Sequence, residues 1–255
     1  ADFVDNVDRI RGIAMPGFAK VDAAMMALLP NLEIVACFGV GYDGADVTHA
    51  KQHGIAVTNT PDVLTDCVAD LGMALTLATL RKIVEGDRYV RAGRWVSEGI
   101  LDLAHSPRGR CLGIVGLGRI GLALAKRAEA FGMTIAYYNR TERDDVPYAY
   151  YASAAALAEA CDVMALTCPG GEATRNLIDD AVFEALGGDG YLINIARVNQ
   201  CLPVADSRAG GFLRLDQFLA LVHQALNGFA PKLHAGIVQQ SRDQTLGRVC
   251  VNAAN

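Results

Sequence analysis

Short apolar runs of strand length alternate along most of the chain with stretches in which apolar residues recur every three or four positions. The runs predict strands at residues 9–15, 32–38, 55–58, 111–115, 133–139, 162–167 and 190–196. The stretches between them predict helices at residues 21–29, 46–53, 153–160 and 179–186. Strands that alternate with helices are typical of a parallel sheet covered by helices, so we expect an α/β fold.

One helical pattern is longer than the others and runs from Thr65 to about Gly93. Its apolar face is too broad for a single surface helix, so we expect it to be buried against a partner subunit or against both domains. Trp95, the only tryptophan, follows this helix. We expect its side chain either to anchor an interface or to form the wall of a pocket, and we favour the interface.

A glycine-rich segment follows the predicted strand at 111–115. Gly116, Gly118 and Gly121 form a G-x-G-x-x-G pattern where helical periodicity begins, and the strand at 133–139 completes the unit. In dinucleotide-binding units such glycines permit a tight turn, the approach of a pyrophosphate and close packing of helix on strand. The phosphates then lie at the amino end of the helix. We therefore expect a dinucleotide site, the alternative being a glycine-rich structural turn.

The residues after the second strand of this unit indicate which dinucleotide is bound. An NAD site usually carries a carboxylate here, which binds the ribose 2′-hydroxyl, whereas this chain has Asn139. Arg140 and Arg143 can pair with a 2′-phosphate, and Thr141 can donate a hydrogen bond to it. We therefore expect NADPH rather than NADH. The alternative is a solvated basic loop, which Glu142 mildly favours.

Composition narrows the class of protein. The 255 residues are enough for two domains, and 52% hydrophobic residues with a net charge of −5 indicate a cytoplasmic protein without a nucleic-acid partner. The most apolar stretch, 68–80, contains Asp70 and is too short to span a membrane, and nothing at the start resembles a signal peptide. The seven cysteines and five histidines lack disulfide-framework or metal-ligand spacing, so we expect no metal.

A second glycine-bearing loop occupies residues 38–46, directly after a predicted parallel strand. Ligands of parallel sheets bind at the carboxyl ends of strands, so the amides of Val40 and Gly41 could hold an anion. The alternative is a simple turn between strand and helix.

These motifs together resemble the D-isomer-specific 2-hydroxyacid dehydrogenases, particularly the glyoxylate/hydroxypyruvate reductase branch. The matching stretches are residues 29–33, 39–43, 54–62, 68–70, 91–95, 113–121, 138–140, 167–169 and 194–197. The resemblance implies two doubly wound parallel-sheet domains, a Rossmann-type cofactor domain at 78–233 and a smaller flavodoxin-like substrate domain formed by 1–77 and 234–255. It also implies a homodimer built on the long helix, and a first domain that here lacks its opening strand and helix.

The resemblance further assigns roles to individual residues. The amides of Val40 and Gly41 hold the substrate carboxylate, Arg197 grips the carboxylate and the reacting carbonyl oxygen, and Trp95 closes the neighbour's substrate pocket. Arg197 could instead pair structurally with a surface carboxylate. The implied cofactor contacts are Val68, Gly116, Gly118, Arg119, Ile120, Gly121, Asn139, Arg140, Thr141, Arg143, Cys168, Pro169, Thr174 and Ala196.

The match changes beyond Arg197, where Val198 replaces the expected glycine. His234 matches the family's catalytic histidine, although Leu233 replaces a usual proline, and a surface histidine is the alternative. The family's Glu-Pro motif is absent. Asp216 lies at that glutamate in an ungapped count, yet its surroundings also resemble an earlier motif whose aspartate contacts the nicotinamide.

The expected function is therefore transfer of a hydride from NADPH to a small 2-oxo acid of the glyoxylate or hydroxypyruvate type, giving the D-2-hydroxy acid. Arg197, His234 and Asp216 are the expected catalytic residues. The alternative is a catalytically weak dinucleotide-binding sensor or scaffold on the same fold, because fold alone does not decide function.

Overall fold

The computed structural model describes residues 4–16, 19–197, 200–201, 238–240 and 249–252. The chain divides into two compact units, Ala1–Thr65 and Asp66–Asn255. No helix within the described residues is long and apolar enough to cross a membrane.

The first unit is a small parallel sheet with short helices. Its elements are a 3-10 helix at Val4–Arg9, β1 Gly12–Pro16, α1 Ala23–Ala27, β2 Ile34–Phe38, α2 Val47–Gln52 and β3 Ala56–Thr58. The strands pair in the order β1-β2-β3, all parallel. Both helices begin where an aspartate accepts a hydrogen bond from the first turn, Asp22 from the Met25 amide and Asp46 from the His49 amide, each at 2.9 Å.

The second unit contains the longer helices and a larger sheet. Its helices are α3 Thr65–Leu80, α4 Ile83–Arg91, α5 Arg94–Glu98, α6 Arg119–Ala130, α7 Ala154–Ala160 and α8 Asp180–Leu186, with a 3-10 turn at Glu172–Thr174. Its strands are β4 Cys111–Val115, β5 Thr134–Tyr138, β6 Ala149–Tyr151, β7 Val163–Leu166, β8 Tyr191–Asn194, β9 Val238–Gln240 and β10 Val249–Asn252.

These strands form one sheet in the order β6-β5-β4-β7-β8-β10-β9. Every neighbouring pair is parallel except β9 and β10. The chain runs from β4 outward to β5 and β6 on one side, then crosses to β7 and β8 on the other. The sheet therefore has a topological switch point between β4 and β7, and ligands of such sheets bind beside the carboxyl ends of those two strands.

The middle of this sheet is buried on both faces. All four residues of β7 have 0% of their surface exposed, as has Ile114 of β4. Strands covered by helices on both faces read as continuous apolar runs, which is why the sequence pattern predicted them. The parallel α/β fold is thereby confirmed.

The long helical region differs from the prediction, because it breaks after Leu80. Lys82 has a left-handed backbone with φ of +50°, and α4 starts at the next residue, Ile83. The buried face of α3 packs within the second unit, since a Cβ added at Gly72 would lie 2.8 Å from the Ile195 side chain and 3.3 Å from that of Leu124. Residues 66–77 thus fall in the second unit rather than in the first.

The two last strands also lie in the second sheet, although we expected residues 234–255 to return to the first domain. The reason is backbone pairing, because β10 is hydrogen-bonded to β8 over Val249–Asn252. The division of the chain into a substrate domain and a cofactor domain stays a prediction.

Candidate functional site

The glycine loop lies at the switch point of the second sheet. Gly116, the residue after β4, has φ of +98°, and a Cβ added to it would lie 2.6 Å from the Cα and the amide nitrogen of Cys168. Only glycine fits this backbone and this spacing. The loop after β4 therefore lies directly against the loop after β7.

The other two glycines of the motif have opposite surroundings. A Cβ added to Gly118 would meet no atom within 4 Å, whereas one added to Gly121 would lie 2.6 Å from the Gly116 carbonyl oxygen and 2.9 Å from Thr167 Oγ1. Gly118 is the N-cap residue of α6 and provides no side-chain hydrogen bond to the first turn, and the space beside its Cα is open. The amino end of α6 can therefore receive an anion such as a pyrophosphate.

Asn139 holds the glycine loop from the end of β5. Its Oδ1 accepts a hydrogen bond from the Leu117 amide at 2.7 Å. The Asn139 carbonyl in turn accepts a hydrogen bond from the Tyr150 hydroxyl at 3.3 Å. The sequence analysis singled out Asn139 because it is uncharged where an NAD site usually has a carboxylate. The hydrogen bond by which its side chain holds the glycine loop was not predicted.

Arg143 braces the same loop. Its Nη1 donates to the Leu117 carbonyl at 2.7 Å, and its Nε donates to Asp145 Oδ1 at 2.8 Å. The hydrogen bond between these side chains raises the pKa of Arg143 and lowers that of Asp145. Its backbone amide donates to the Tyr137 hydroxyl at 2.8 Å. The Arg143 guanidinium is thus already engaged, and its expected pairing with a 2′-phosphate stays a prediction.

Arg140 and Thr141 follow β5 in the same loop, and both are exposed. Within the described part of the chain, no side chain pairs with the Arg140 guanidinium. Of the two arginines that the sequence proposed for a 2′-phosphate, Arg140 is therefore the one whose charge is available to a ligand.

The loop after β7 contributes Thr167, Cys168 and Pro169. The Thr167 hydroxyl donates a hydrogen bond to the Gly116 carbonyl at 2.7 Å. This bond fixes the loop after β7 to the glycine loop. Burial raises the pKa of the Cys168 thiol to about 11, so the thiol is neutral at physiological pH. Thr174, in the following 3-10 turn, donates to the Pro169 carbonyl at 2.8 Å.

The loop after β8 carries Arg197. Asn194 Nδ2 donates to the Arg197 carbonyl at 3.0 Å, and Asn194 Oδ1 accepts from the Ala196 amide at 2.9 Å. The Arg197 amide donates to Gln200 Oε1 at 3.2 Å. Gln200 was not predicted as part of the site, because its partners lie on two separate loops.

In the first unit, the loop after β2 is held by residues that follow β3. The Gly39 amide donates to Thr60 Oγ1 at 3.0 Å, and Asn59 Nδ2 donates to the Val40 carbonyl at 2.9 Å. Between described residues, the amides of Val40 and Gly41 donate no hydrogen bond. The loop thus has a fixed shape with two amides available to an acceptor.

Trp95 lies on α5, in an arm formed by residues 83–103. Its side chain is 55% exposed and its neighbour Val96 is 90% exposed. The arm is held internally, because the Tyr89 hydroxyl donates to the Gly99 carbonyl at 3.1 Å and Arg94 lies over the Tyr89 ring at 4.7 Å. Further exposed apolar side chains of the arm are Ile83, Val90, Ile100 and Leu103.

The remaining predicted cofactor contacts lie on elements beside the glycine loop. Arg119 and Ile120 belong to the first turn of α6, Val68 is half-buried on α3, and Ala196 follows β8. His234 and Asp216 fall outside the described residues. Among the described residues, no group of three or more His, Cys, Asp or Glu side chains could hold a metal ion.

Comparison with known proteins identifies the family to which the second unit is similar. The family model of the D-isomer specific 2-hydroxyacid dehydrogenase NAD binding domain matches residues 73–201. Glyoxylate/hydroxypyruvate reductase A HPR2 of Arabidopsis thaliana is 50% identical over 188 residues, which cover 74% of this chain and 60% of that protein. A glyoxylate reductase of Pyrococcus horikoshii is 42% identical over 186 residues, which cover 70% of this chain and 56% of that protein.

A similar solved structure is that of an NADPH-dependent glyoxylate/hydroxypyruvate reductase from Sinorhizobium meliloti, in complex with NADP and malonate. It superposes with a TM-score of 0.73 at 46% identity, covering 79% of this chain and 61% of that one. The chain spans about three fifths of the length of these relatives.

The contrast between Gly118 and Gly121 gives a paired test of the glycine loop. Gly121→Ala should lower the free energy of unfolding by about 1–3 kcal/mol, because its Cβ overlaps the Gly116 carbonyl. Gly118→Ala should change that free energy by no more than about 0.5 kcal/mol, yet weaken dinucleotide binding, because its Cβ occupies the open space before α6. Urea denaturation and fluorescence titration with NADPH measure the two effects. Unchanged NADPH affinity in Gly118→Ala would place the pyrophosphate elsewhere.

Proposed function

Because this chain belongs to the family of D-isomer-specific 2-hydroxyacid dehydrogenases, we propose that it reduces a small 2-oxo acid with NADPH and forms the D-2-hydroxy acid. Glyoxylate and hydroxypyruvate are the proposed substrates. The observation that carries this proposal is the switch point of the second sheet, where the glycine loop and the loops bearing Cys168 and Arg197 share one edge.

The residues of this chain have separate tasks in the proposed reaction. When held at the glycine loop by Gly116, Gly118 and Gly121, a nicotinamide dinucleotide would supply the hydride for the carbonyl carbon of the substrate. Arg197 binds the substrate carboxylate and stabilises charge on the carbonyl oxygen, for which a planar and permanently charged guanidinium is suited. The amides of Val40 and Gly41 contribute donors for the carboxylate. His234 donates the proton to the oxygen, and Asp216 is proposed to orient His234.

The preference for NADPH rests on Asn139 and Arg140. Without a carboxylate at position 139, nothing there repels a 2′-phosphate, and the exposed Arg140 guanidinium has no partner among the described side chains. A charged hydrogen bond to the phosphate suits this arginine.

Arg140→Ala should therefore weaken NADPH binding by about 1.5–3 kcal/mol and leave NADH binding nearly unchanged. Arg143→Ala is the matched control, because loss of its contact with the Leu117 carbonyl should weaken both cofactors alike. Fluorescence titration with each nucleotide distinguishes these outcomes. Equal losses for the two cofactors in Arg140→Ala would remove this residue from the phosphate site.

His234 decides between an enzyme and a scaffold. Reduction requires the protonated imidazole, so the rate should fall as the pH rises through the pKa of His234. His234→Asn should lower kcat by about 10²- to 10⁴-fold with little change in NADPH affinity, as expected on loss of a positioned acid. Steady-state kinetics with glyoxylate and NADPH measure this.

The second candidate, a dinucleotide-binding sensor or scaffold, is favoured by the absence of the Glu-Pro motif. NADPH binding by the wild type without reduction of glyoxylate or hydroxypyruvate at any pH would support it. A wild-type rate in His234→Asn would instead mean that another group supplies the proton.

The arm at residues 83–103 supports a homodimer. Its apolar side chains are exposed in the single chain, and such a patch is typical of a surface that a partner covers. We assign this surface to contact with a second copy of this chain, because the resemblance to the family implies a homodimer built on the long helix.

Val96→Asp should therefore shift the protein from dimer to monomer, because the new carboxylate would lose its hydration in the interface. Val63→Asp is the matched control, since Val63 is 82% exposed and lies outside the arm. Light scattering after size-exclusion chromatography measures the molar mass. A monomeric wild type, or a dimeric Val96→Asp, would contradict this assignment.

A further inference from the structure

Gln200 is a fully buried amide at the carboxyl edge of the second sheet. None of its surface is exposed, and it lies three residues after Arg197 in the chain. A buried side-chain amide needs partners for both its N–H groups and its oxygen, since each unpaired group costs free energy. The partners of Gln200 lie on both loops that the proposed function uses.

The contacts of Gln200 join these two loops. Its Oε1 accepts a hydrogen bond from the Arg197 amide at 3.2 Å. Its Nε2 donates to the carbonyl oxygens of Cys168 at 3.0 Å and Pro169 at 2.9 Å, and lies 3.2 Å from the Cys168 sulfur. The loop after β8 is thereby fixed to the loop after β7.

The backbone of Arg197 is held at both of its polar groups. Its amide bonds Gln200 Oε1, while its carbonyl accepts from Asn194 Nδ2 at 3.0 Å and from the Gln200 amide at 3.3 Å. When the amide and the carbonyl on either side of a Cα are both fixed, the direction in which the side chain leaves the backbone is fixed as well. Gln200 therefore helps to set the direction in which the Arg197 side chain leaves the backbone.

We propose that Gln200 is a positioning residue, which sets the place of Arg197 relative to the Cys168–Pro169 loop and thus relative to the bound nicotinamide dinucleotide. The inference rests on the proposed function, because it takes Arg197 as the substrate-binding group. Gln200 itself touches neither substrate nor cofactor in this proposal. Its effect passes through the two loops, and small misplacements of binding groups are costly to catalysis.

Gln200→Leu removes every polar atom of this amide at similar volume. We expect the KM for glyoxylate to rise about tenfold or more and the Kd for NADPH to rise about threefold, as loss of buried hydrogen bonds displaces both loops. The matched control is Thr76→Val, which removes another fully buried hydrogen bond, from Thr76 Oγ1 to the Gly72 carbonyl at 2.8 Å. That variant should lose stability to a similar degree while keeping both constants.

Gln200→Glu supplies a readout that a merely structural role would not give. A charged carboxylate would face the Cys168 and Pro169 carbonyl oxygens and repel them, whereas a protonated carboxyl can donate to one of them and still accept from the Arg197 amide. Burial favours the protonated form, whereas the positive charge of Arg197 on the same loop favours the carboxylate. The Cys168 thiol is neutral.

The NADPH affinity of Gln200→Glu, divided by that of the wild type, should therefore approach one as the pH falls and decrease as the pH rises. The same ratio for Thr76→Val should stay flat. A flat ratio for Gln200→Glu, or unchanged KM and Kd in Gln200→Leu, would overturn the proposal. If the wild type binds NADPH but reduces no 2-oxo acid, the proposed function fails, and the pH dependence of NADPH affinity still decides whether Gln200 positions the loops.

Discussion

The close approach of Gly116 to Cys168 is the constraint on which the rest of the site depends. The chain continues from β4 to β5 in one direction along the sheet, and from β7 to β8 in the other. The loops after β4 and β7 therefore start side by side. At that point the backbones are too near for a Cβ, and the Thr167 hydroxyl bonds the Gly116 carbonyl across the gap. The helix α6 therefore starts at the switch point of the sheet, where its amino end is placed to receive an anionic ligand.

Apart from the Arg143 guanidinium, the side chains that hold the loops at this edge are neutral amides and a hydroxyl. Backbone groups that leave a strand ladder need new partners, and amides and hydroxyls satisfy them without adding charge. Asn139 accepts a hydrogen bond from the Leu117 amide, and Gln200 accepts one from the Arg197 amide. Asn194 donates a hydrogen bond to the Arg197 carbonyl. Carboxylates could accept the hydrogen bonds of the Leu117 and Arg197 amides, but they could not donate to the Arg197 carbonyl, and they would repel the phosphates of a dinucleotide. The choice of amides thus reconciles a rigid loop with an anionic ligand.

The buried elements of the second sheet could be predicted from the sequence, because strands buried on both faces are continuous apolar runs. The short strand β6 was missed, since it has three residues at the edge of the sheet and lacks such a run. The helix break at Lys82 was also missed. No glycine or proline marks residues 81–83, so the sequence carries no local signal for the left-handed backbone of Lys82.

The same distinction applies to the candidate site. Gly116, Gly118 and Gly121 were predictable, because their spacing is local and each glycine answers one geometric need. The bracing role of Arg143 was not, since the contacts of its guanidinium depend on how a loop of the neighbouring strand folds back. The role of Gln200 depends on two loops that are distant in sequence and meet only in the folded sheet.

Local charge, rather than net charge, governs whether the second unit attracts a dinucleotide. The chain carries a net charge of −5, but charges farther away than about 8–10 Å are largely screened at physiological ionic strength. Near the glycine loop, the Cys168 thiol is kept neutral by burial and Asp145 is neutralised by Arg143. The partial positive charge at the amino end of α6 and the exposed Arg140 therefore act on a ligand from close range, although Glu142 and Asp144 lie in the same loop as Arg140. An acidic protein can in this way present an anion-binding edge without any excess of basic residues.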